Sequence, residues 1–106
     1  MKHLAIIAVA LVLLTSCGGP RSVTYRITGT TKNVDITLTN ASGGTEQRNI
    51  APPYELSFTG SGALYISGQN KWDAGVVTCE ILVDGKVIQT ATSSTAYGIA
   101  TCSGSA

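Results

Sequence analysis

The 106-residue sequence has few of the residues that carry out chemistry in protein sites. It contains one histidine, three cysteines and one tryptophan, and only 12% of its residues are charged. The histidine is His3, inside an apolar N-terminal segment. Without that segment, no imidazole remains to activate a hydroxyl nucleophile or to complete a zinc site with two cysteines. These absences argue against an enzyme, and we expect no cofactor and no metal.

Charge is too sparse and too balanced to indicate a nucleic-acid partner. The sequence has seven Lys or Arg and six Asp or Glu residues, and neither sign clusters. A nucleic-acid-binding protein needs a basic stripe. The carboxylates of Asp35 and Glu80 fall at outward strand positions, where we interpret them as solvated surface charge. The sequence therefore predicts no nucleic-acid binding.

An apolar run that ends at a cysteine dominates the N-terminus. Residues 4–14 carry no polar side chain, and as a helix they would reach only ~17 Å, against roughly 30 Å of bilayer hydrocarbon. This length is typical of the apolar core of a secretory signal. The next residues, "LTSC" at 14–17, resemble the lipobox of bacterial lipoproteins. In that family the cysteine is acylated and the leader is cut off just before it.

This resemblance predicts three segments and a location. Residues 1–16 would be a lipoprotein signal peptide, 17–22 a lipidated flexible tether, and 23–104 a β-sandwich domain. Acyl chains such as palmitate on Cys17 would anchor the domain in the cell membrane, facing the periplasm or the cell exterior. Two alternatives stay open: an ordinary signal peptide with a chance cysteine, and an uncleaved anchor.

An acylated Cys17 leaves Cys79 and Cys102 as an even pair in an oxidising compartment. We predict a disulfide between them, which would contribute on the order of 3 kcal/mol in the chain-entropy model. Two free thiols are the alternative, and they are less expected outside the cytoplasm.

Alternation with a period of two runs through the rest of the chain, between turns rich in Gly, Pro, Asn and Asp. The pattern predicts an all-β fold, a small immunoglobulin-like β-sandwich of about seven short antiparallel strands. A small closed barrel is the alternative. We expect the strands at 23–28, 34–39, 54–58, 63–67, 77–83, 86–90 and 97–102, with a short polar edge strand at 46–50.

Two hairpins are predicted. The first joins 23–28 to 34–39. The second turns at Asp84-Gly85, a dipeptide suited to a type I′ turn, and its register would pair Ile81 with Ile88 and place both in the core. Residues 18–22 and 103–106 are expected to be loose. Cys102 has the opposite parity to Tyr97 and Ile99, which requires either a bulge at Gly98 or mixed facing.

The polar segment "GQNKWDAG" at 68–75 holds the single tryptophan. Trp72 could anchor a partner, because tryptophan is enriched at interface hot spots. The interpretation we favour is that its ring covers one end of a small core. We name Trp72, Tyr54 and Tyr97 as the candidate exposed aromatic residues for partner contact.

Several motifs together resemble the extracytoplasmic domain of the MmpS family of mycobacteria and related actinobacteria. They are "VTYRITG" (23–29), "DITLTN" (35–40), "TEQ" (45–47), "TCEILVDGKV" (78–87) and "CSG" (102–104). The resemblance implies a non-catalytic β-sandwich that assists an MmpL exporter, a transporter of the resistance-nodulation-division type that moves lipids and siderophores. Family members usually carry a longer anchor helix. The alternative function is an envelope lipoprotein that binds a small apolar ligand or another surface component without a transporter.

Overall fold

A computed structural model describes residues 19–106, and in this part of the chain all regular structure is β-strand. No helix with the length and hydropathy to span a bilayer occurs among these residues. The eight strands are β1 (Arg21–Gly29), β2 (Val34–Thr39), β3 (Thr45–Ile50), β4 (Tyr54–Gly60), β5 (Ala63–Asn70), β6 (Val77–Val83), β7 (Lys86–Ser93) and β8 (Ile99–Ser105).

The strands form two antiparallel four-stranded sheets, which confirms the predicted β-sandwich with one disulfide. Sheet A has the order β4-β1-β6-β7, and sheet B has the order β3-β2-β5-β8. The strand count is eight because the polar stretch at 45–50 forms a complete edge strand, β3, along β2. The two sheets stay separate, so the closed barrel is ruled out.

The core follows directly from the alternation of apolar residues. In β2 and β6, every second side chain is buried and the intervening ones are half-buried, because successive side chains of a strand point to opposite faces of the sheet. The inward residues of both sheets meet in one cluster: Val23, Tyr25, Ile27, Val34, Ile36, Leu38, Leu64, Ile66, Val77, Cys79, Ile81, Val83, Ala100 and Cys102.

The predicted disulfide between Cys79 and Cys102 is confirmed, and it joins the two sheets. Cys79 lies in β6 of sheet A, Cys102 lies in β8 of sheet B, and neither is exposed to solvent. The bond closes a sequence separation of 23 residues. It therefore holds the β6 and β8 sides of the sandwich together from within the core.

Tyr25 makes a second connection between the sheets. Its ring is buried against Phe58, with ring centroids 5.2 Å apart. Its hydroxyl donates to the Thr39 carbonyl at 2.7 Å and accepts from the Tyr65 amide at 3.2 Å. Thr39 and Tyr65 belong to sheet B, whereas Tyr25 belongs to sheet A. One phenol thus satisfies a carbonyl and an amide on the opposite sheet.

Replacing Tyr25 with phenylalanine should lower the free energy of unfolding by about 1–2 kcal/mol, because two partly buried backbone groups lose their partner. Tyr97→Phe is the matched control, since Tyr97 is 55% exposed and its change should stay within about 0.5 kcal/mol. Urea denaturation measures both variants. Equal stabilities for Tyr25→Phe and the wild type would show that the phenol does not connect the sheets.

The same phenol gives the stability a dependence on alkaline pH. Burial raises the pKa of Tyr25 above its ordinary value of 10.0, and the hydrogen bond from the Tyr65 amide lowers it in part. The folded state therefore holds this proton more tightly than the unfolded chain. The resulting stability is complete below the ordinary pKa and is lost as pH rises through the raised one. Denaturation from pH 7 upward should show a steeper alkaline loss in the wild type than in Tyr25→Phe.

The predicted hairpin between 23–28 and 34–39 is wrong. These segments are β1 and β2, which lie in different sheets and face each other across the core. After Gly29 the chain leaves sheet A, and the Thr30 amide donates to the Val76 carbonyl at 3.0 Å. Alternation specifies which face of a strand is buried but not which strand lies beside it, so the pattern fitted both arrangements.

The Asp84-Gly85 turn forms as predicted, with positive φ at both residues (52° and 80°). The register beyond Leu82 differs from the prediction, because a bulge pairs Ile81 with Gln89 and leaves Ile88 out of the ladder. Ile88 is 44% exposed instead of belonging to the core. Its side chain lies against Gly104 of β8. The contact is so close that a Cβ at position 104 would lie only 2.8 Å from Cδ1 of Ile88.

The chain ends and the last strand also differ from expectation. β1 begins at Arg21 and β8 continues to Ser105, so part of the expected tether and of the expected loose C-terminus is paired strand. Of the two explanations predicted for Cys102, mixed facing is the one found: Cys102 points into the core and Ile99 points outward. Tyr97 precedes the strand with a φ of 56°.

Candidate binding site

One end of the sandwich carries the loop 71–76, and a buried amide organises it. Asn70, the last residue of β5, is 1% exposed. Its Oδ1 accepts from the Thr31 hydroxyl at 2.7 Å and from the Trp72 amide at 3.0 Å, while its Nδ2 donates to the Ala74 carbonyl at 3.0 Å. The segment that looked like a polar loop from residue 68 onward thus begins with three residues of β5, and its asparagine is a core residue.

This loop presents Trp72 together with Tyr97. The Tyr97 amide donates to the Trp72 carbonyl at 3.1 Å, and the Asn70 amide donates to the Gly98 carbonyl at 2.9 Å. Trp72 is 46% exposed and Tyr97 is 55% exposed. Trp72 is not among the hydrophobic residues that pack on the core, so the favoured prediction that it covers the core is wrong.

Tyr54, the third candidate contact residue, lies on edge strand β4 of sheet A. It begins β4, pairs with Ile27 of β1 and packs against the core. Its side chain is half-buried, and its hydroxyl has no hydrogen-bond partner within residues 19–106. The structure therefore links Trp72 and Tyr97 by a backbone hydrogen bond and exposes both, whereas Tyr54 is half-buried on the edge strand of sheet A.

The aromatic pair lies at the end of the sandwich opposite the start of β1. Strand β1 starts beside the β6–β7 turn, where Arg21 forms an ion pair with Asp84 at 3.6 Å and the Asp84 amide donates to Ser22 at 2.8 Å. It ends at Gly29, next to the 71–76 loop. Eight residue steps at ~3.3 Å separate these two ends by about 26 Å.

A groove of about 420 Å³ lies along the outer face of sheet B. Most of its lining residues belong to two cross-strand rows, and Ile36 and Arg48 lie between these rows. The first row is Asn49, Asp35, Gln69 and Ile99, and the second is Gln47, Thr37, Ser67 and Thr101. We call this the outer groove. The residues that line it are Asp35, Ile36, Thr37, Gln47, Arg48, Asn49, Ser67, Gln69 and Ile99.

The groove is polar and close to electrical neutrality. Asp35 accepts from the Asn49 side-chain amide at 2.7 Å and lies 3.7 Å from the Lys71 ammonium. The Arg48 guanidinium contacts Glu46 at 2.7 Å; this hydrogen bond raises the pKa of Arg48 and is the main cause that lowers the pKa of Glu46. Each charge that borders the groove thus has a partner of opposite sign.

The groove joins the aromatic end through Gln69. The Gln69 side-chain amide donates to the Tyr97 carbonyl at 3.3 Å, and Ile99 is 57% exposed beside it. The alternating pattern predicted that Asp35 and Thr37 face outward. The two rows also require β2 to pair with β5, and this long-range pairing leaves no local signal in the sequence, so the groove was not predicted.

The outer face of sheet A carries ordinary surface charge. Arg26 lies between Glu80 and Glu55, at 3.1 and 3.3 Å. Hydrogen bonds from these carboxylates, with Glu80 first, raise the pKa of Arg26. Within residues 19–106 there is no group of three or more potential metal ligands.

Cys17 and the predicted signal peptide 1–16 lie outside the described residues, so lipid attachment stays a prediction.

No protein-family model matches the chain, and no curated protein matches it either. The resemblance to the MmpS family accordingly rests on the sequence motifs alone.

Proposed function

We propose that this protein is a non-enzymatic binding module, exported and held at the outer face of the cell membrane by acylated Cys17. Its partner would be an MmpL-type exporter, as the resemblance to the MmpS family implies. The module would hold its position passively: the lipid anchors it, the disulfide stiffens it, and the loops at one end make contact.

The observation that carries this proposal is the position of the Trp72–Tyr97 pair. A tether that enters at Arg21 leaves these two rings at the opposite end of the sandwich, beyond the far end of β1, a strand about 26 Å long. The pair then points away from the bilayer. Exposed aromatic residues held by buried hydrogen bonds are pre-organised for contact, which lowers the entropy cost of binding. We therefore expect the contact on the extracytoplasmic part of the partner.

The alternative, an apolar ligand bound between the sheets, has less support. The space between the sheets is filled by the side chains of the core cluster, nearly all of them fully buried. The groove described above lies on the outside of sheet B and has mainly polar side chains. An apolar ligand would need an enclosed apolar pocket.

Photocrosslinking in the native host tests the proposal. A photoreactive amino acid replaces Trp72 or Tyr97 in the full chain, and a matched variant carries it at Lys86, which is exposed at the tether end. We expect an adduct with a large exporter, identified by peptide mass spectrometry, at least fivefold more abundant from positions 72 and 97 than from 86. Equal labelling from both ends, or no membrane-protein adduct, would contradict the proposal.

A further inference from the structure

We propose that the outer groove of sheet B binds a neutral carbohydrate, such as a short stretch of an uncharged polysaccharide. This inference goes beyond the proposed function, because it assigns a ligand to a different face of the sandwich and does not depend on an exporter.

The spacing of the groove residues suits an extended, hydroxyl-rich ligand. Two complete rows cross all four strands of sheet B, and three inter-strand spacings of ~4.8 Å give a surface about 14 Å across. Asn, Gln, Ser and Thr side chains can each donate and accept hydrogen bonds. A sugar ring presents hydroxyl groups around its edge, and each of them can also donate and accept. The groove side chains can therefore form several hydrogen bonds with the hydroxyls of one saccharide.

Part of this hydrogen-bonding capacity is unused. Asn49 is bonded to Asp35, and Gln69 is bonded to the Tyr97 carbonyl. The side chains of Thr37, Gln47 and Ser67 take no part in the side-chain hydrogen bonds formed within residues 19–106. These three residues form the second row together with Thr101, so a ligand can use them without breaking an existing contact.

The charges select a neutral ligand. Asp35 forms an ion pair with Lys71, and Arg48, the one cation among the lining residues, forms an ion pair with Glu46. The groove therefore offers no excess positive charge to a phosphate or a carboxylate. Asp35 is the single carboxylate among the lining residues, which is too few ligands for a calcium or magnesium ion. Ile99 is the one apolar side chain exposed in the groove, which excludes a lipid chain as the natural ligand.

The aromatic end supplies the remaining element of sugar recognition. The C–H faces of a pyranose are apolar and pack on exposed rings, much as apolar groups do on tyrosine and tryptophan at interfaces. Gln69 in the groove is bonded to the backbone of Tyr97, whose amide is bonded to Trp72. A saccharide that extends along the first row toward Ile99 therefore reaches the two adjoining loops that carry the rings.

Isothermal titration of the full chain, produced with its own leader and purified in detergent, tests this inference. The probes are neutral hexasaccharides of β-1,4-linked glucose, α-1,4-linked glucose, α-1,6-linked mannose and α-1,5-linked arabinose, with a hexagalacturonate as the charged comparison. We expect saturable binding of at least one neutral probe, at least tenfold tighter than the hexagalacturonate. No binding of any neutral hexasaccharide, or tighter binding of the charged one, would overturn the proposal.

A matched pair of variants locates the site. Thr37→Tyr fills the centre of the groove, and Thr24→Tyr makes the same change at the half-buried outer face of β1 on sheet A. Tyrosine is favourable in strands, so both variants should fold, which circular dichroism checks. We expect Thr37→Tyr to weaken binding at least tenfold and Thr24→Tyr to change it less than twofold. Equal affinities would overturn the assignment. Crosslinking from Trp72 and Tyr97 tests a protein contact in cells, whereas titration tests sugar binding by the groove. Either proposal can therefore fail without the other.

Discussion

Replacing both Cys79 and Cys102 with alanine should lower the free energy of unfolding by about 4 kcal/mol, the largest single effect we expect. For a domain of this size, that corresponds to a fall in Tm of roughly 15–30 °C. The expected result is a folded but marginal protein at 25 °C. Calorimetry and urea denaturation measure the change.

The size of this effect follows from the position of the bond. A crosslink over 23 residues removes unfolded-state entropy worth ~3 kcal/mol in the chain-entropy model. The two sulfurs are also fully buried in the shared core, so alanine at both positions loses packing contacts as well. A small domain has little other core to compensate for this loss.

The reduced wild type separates the two contributions, because it loses the bond and keeps both sulfurs. We expect it to unfold about 3 kcal/mol more easily than the oxidised protein, with the double alanine variant lower still. A double variant that melts within a few degrees of the wild type would mean that the sandwich does not depend on its disulfide.

Replacing Asn70 with leucine should cost about 3 kcal/mol, the second largest effect. The substitution keeps the approximate size of the side chain but removes three hydrogen bonds at a position that is 1% exposed. Thr31 is itself only 4% exposed, and its hydroxyl would lose its acceptor. Tm should fall by roughly 12–24 °C.

The Asn70 variant also has a local signature. Trp72 is the only tryptophan of the chain, and its amide is bonded to the Asn70 side chain. Its fluorescence in Asn70→Leu should therefore become more solvent-like and less anisotropic below the melting transition. Gln47→Leu is the control, since Gln47 is exposed on β3 and takes no part in the side-chain hydrogen bonds formed within residues 19–106; its replacement should change stability by less than about 0.5 kcal/mol. Equal stabilities and spectra for the two variants would contradict the role given to Asn70.

The elements of the fold that could be predicted from the sequence are those with a local signal. Alternation identified the inward residues of β2 and β6, and Asp84-Gly85 identified its turn because both positions need positive φ. The prediction of the cysteine pair followed from the even number of cysteines left by an acylated Cys17 and from the expected export of the chain. Each of these inferences uses neighbours in the sequence or a simple count.

The features that were not predicted depend on long-range pairing. Ile88 was placed in the core because an ideal hairpin puts it opposite Ile81, and a one-residue bulge moved it to the surface. The outer groove depends on the pairing of β2 with β5 and of β5 with β8. Asn70 looked like a loop residue because asparagine is common in turns. In the structure its side chain is buried and forms hydrogen bonds with Thr31, Trp72 and Ala74.

The proposed roles of both surfaces depend on which end of the sandwich faces the membrane. Strand β1 begins beside the β6–β7 turn, so a lipid on Cys17 would place Trp72 and Tyr97 at the membrane-distal end. It would also leave the outer groove on a side of the sandwich, accessible to polymers of the envelope. An uncleaved anchor would keep the same orientation but change the attachment.

Intact-mass spectrometry of the protein from its native host tests whether a lipid on Cys17 anchors a disulfide-linked domain. We expect one species that begins at Cys17, carries a diacylglyceryl group on that residue, and resists thiol alkylation until Cys79 and Cys102 are reduced. A species with residues 1–16 still attached and an unmodified Cys17, or one with both remaining thiols free to alkylate, would contradict it.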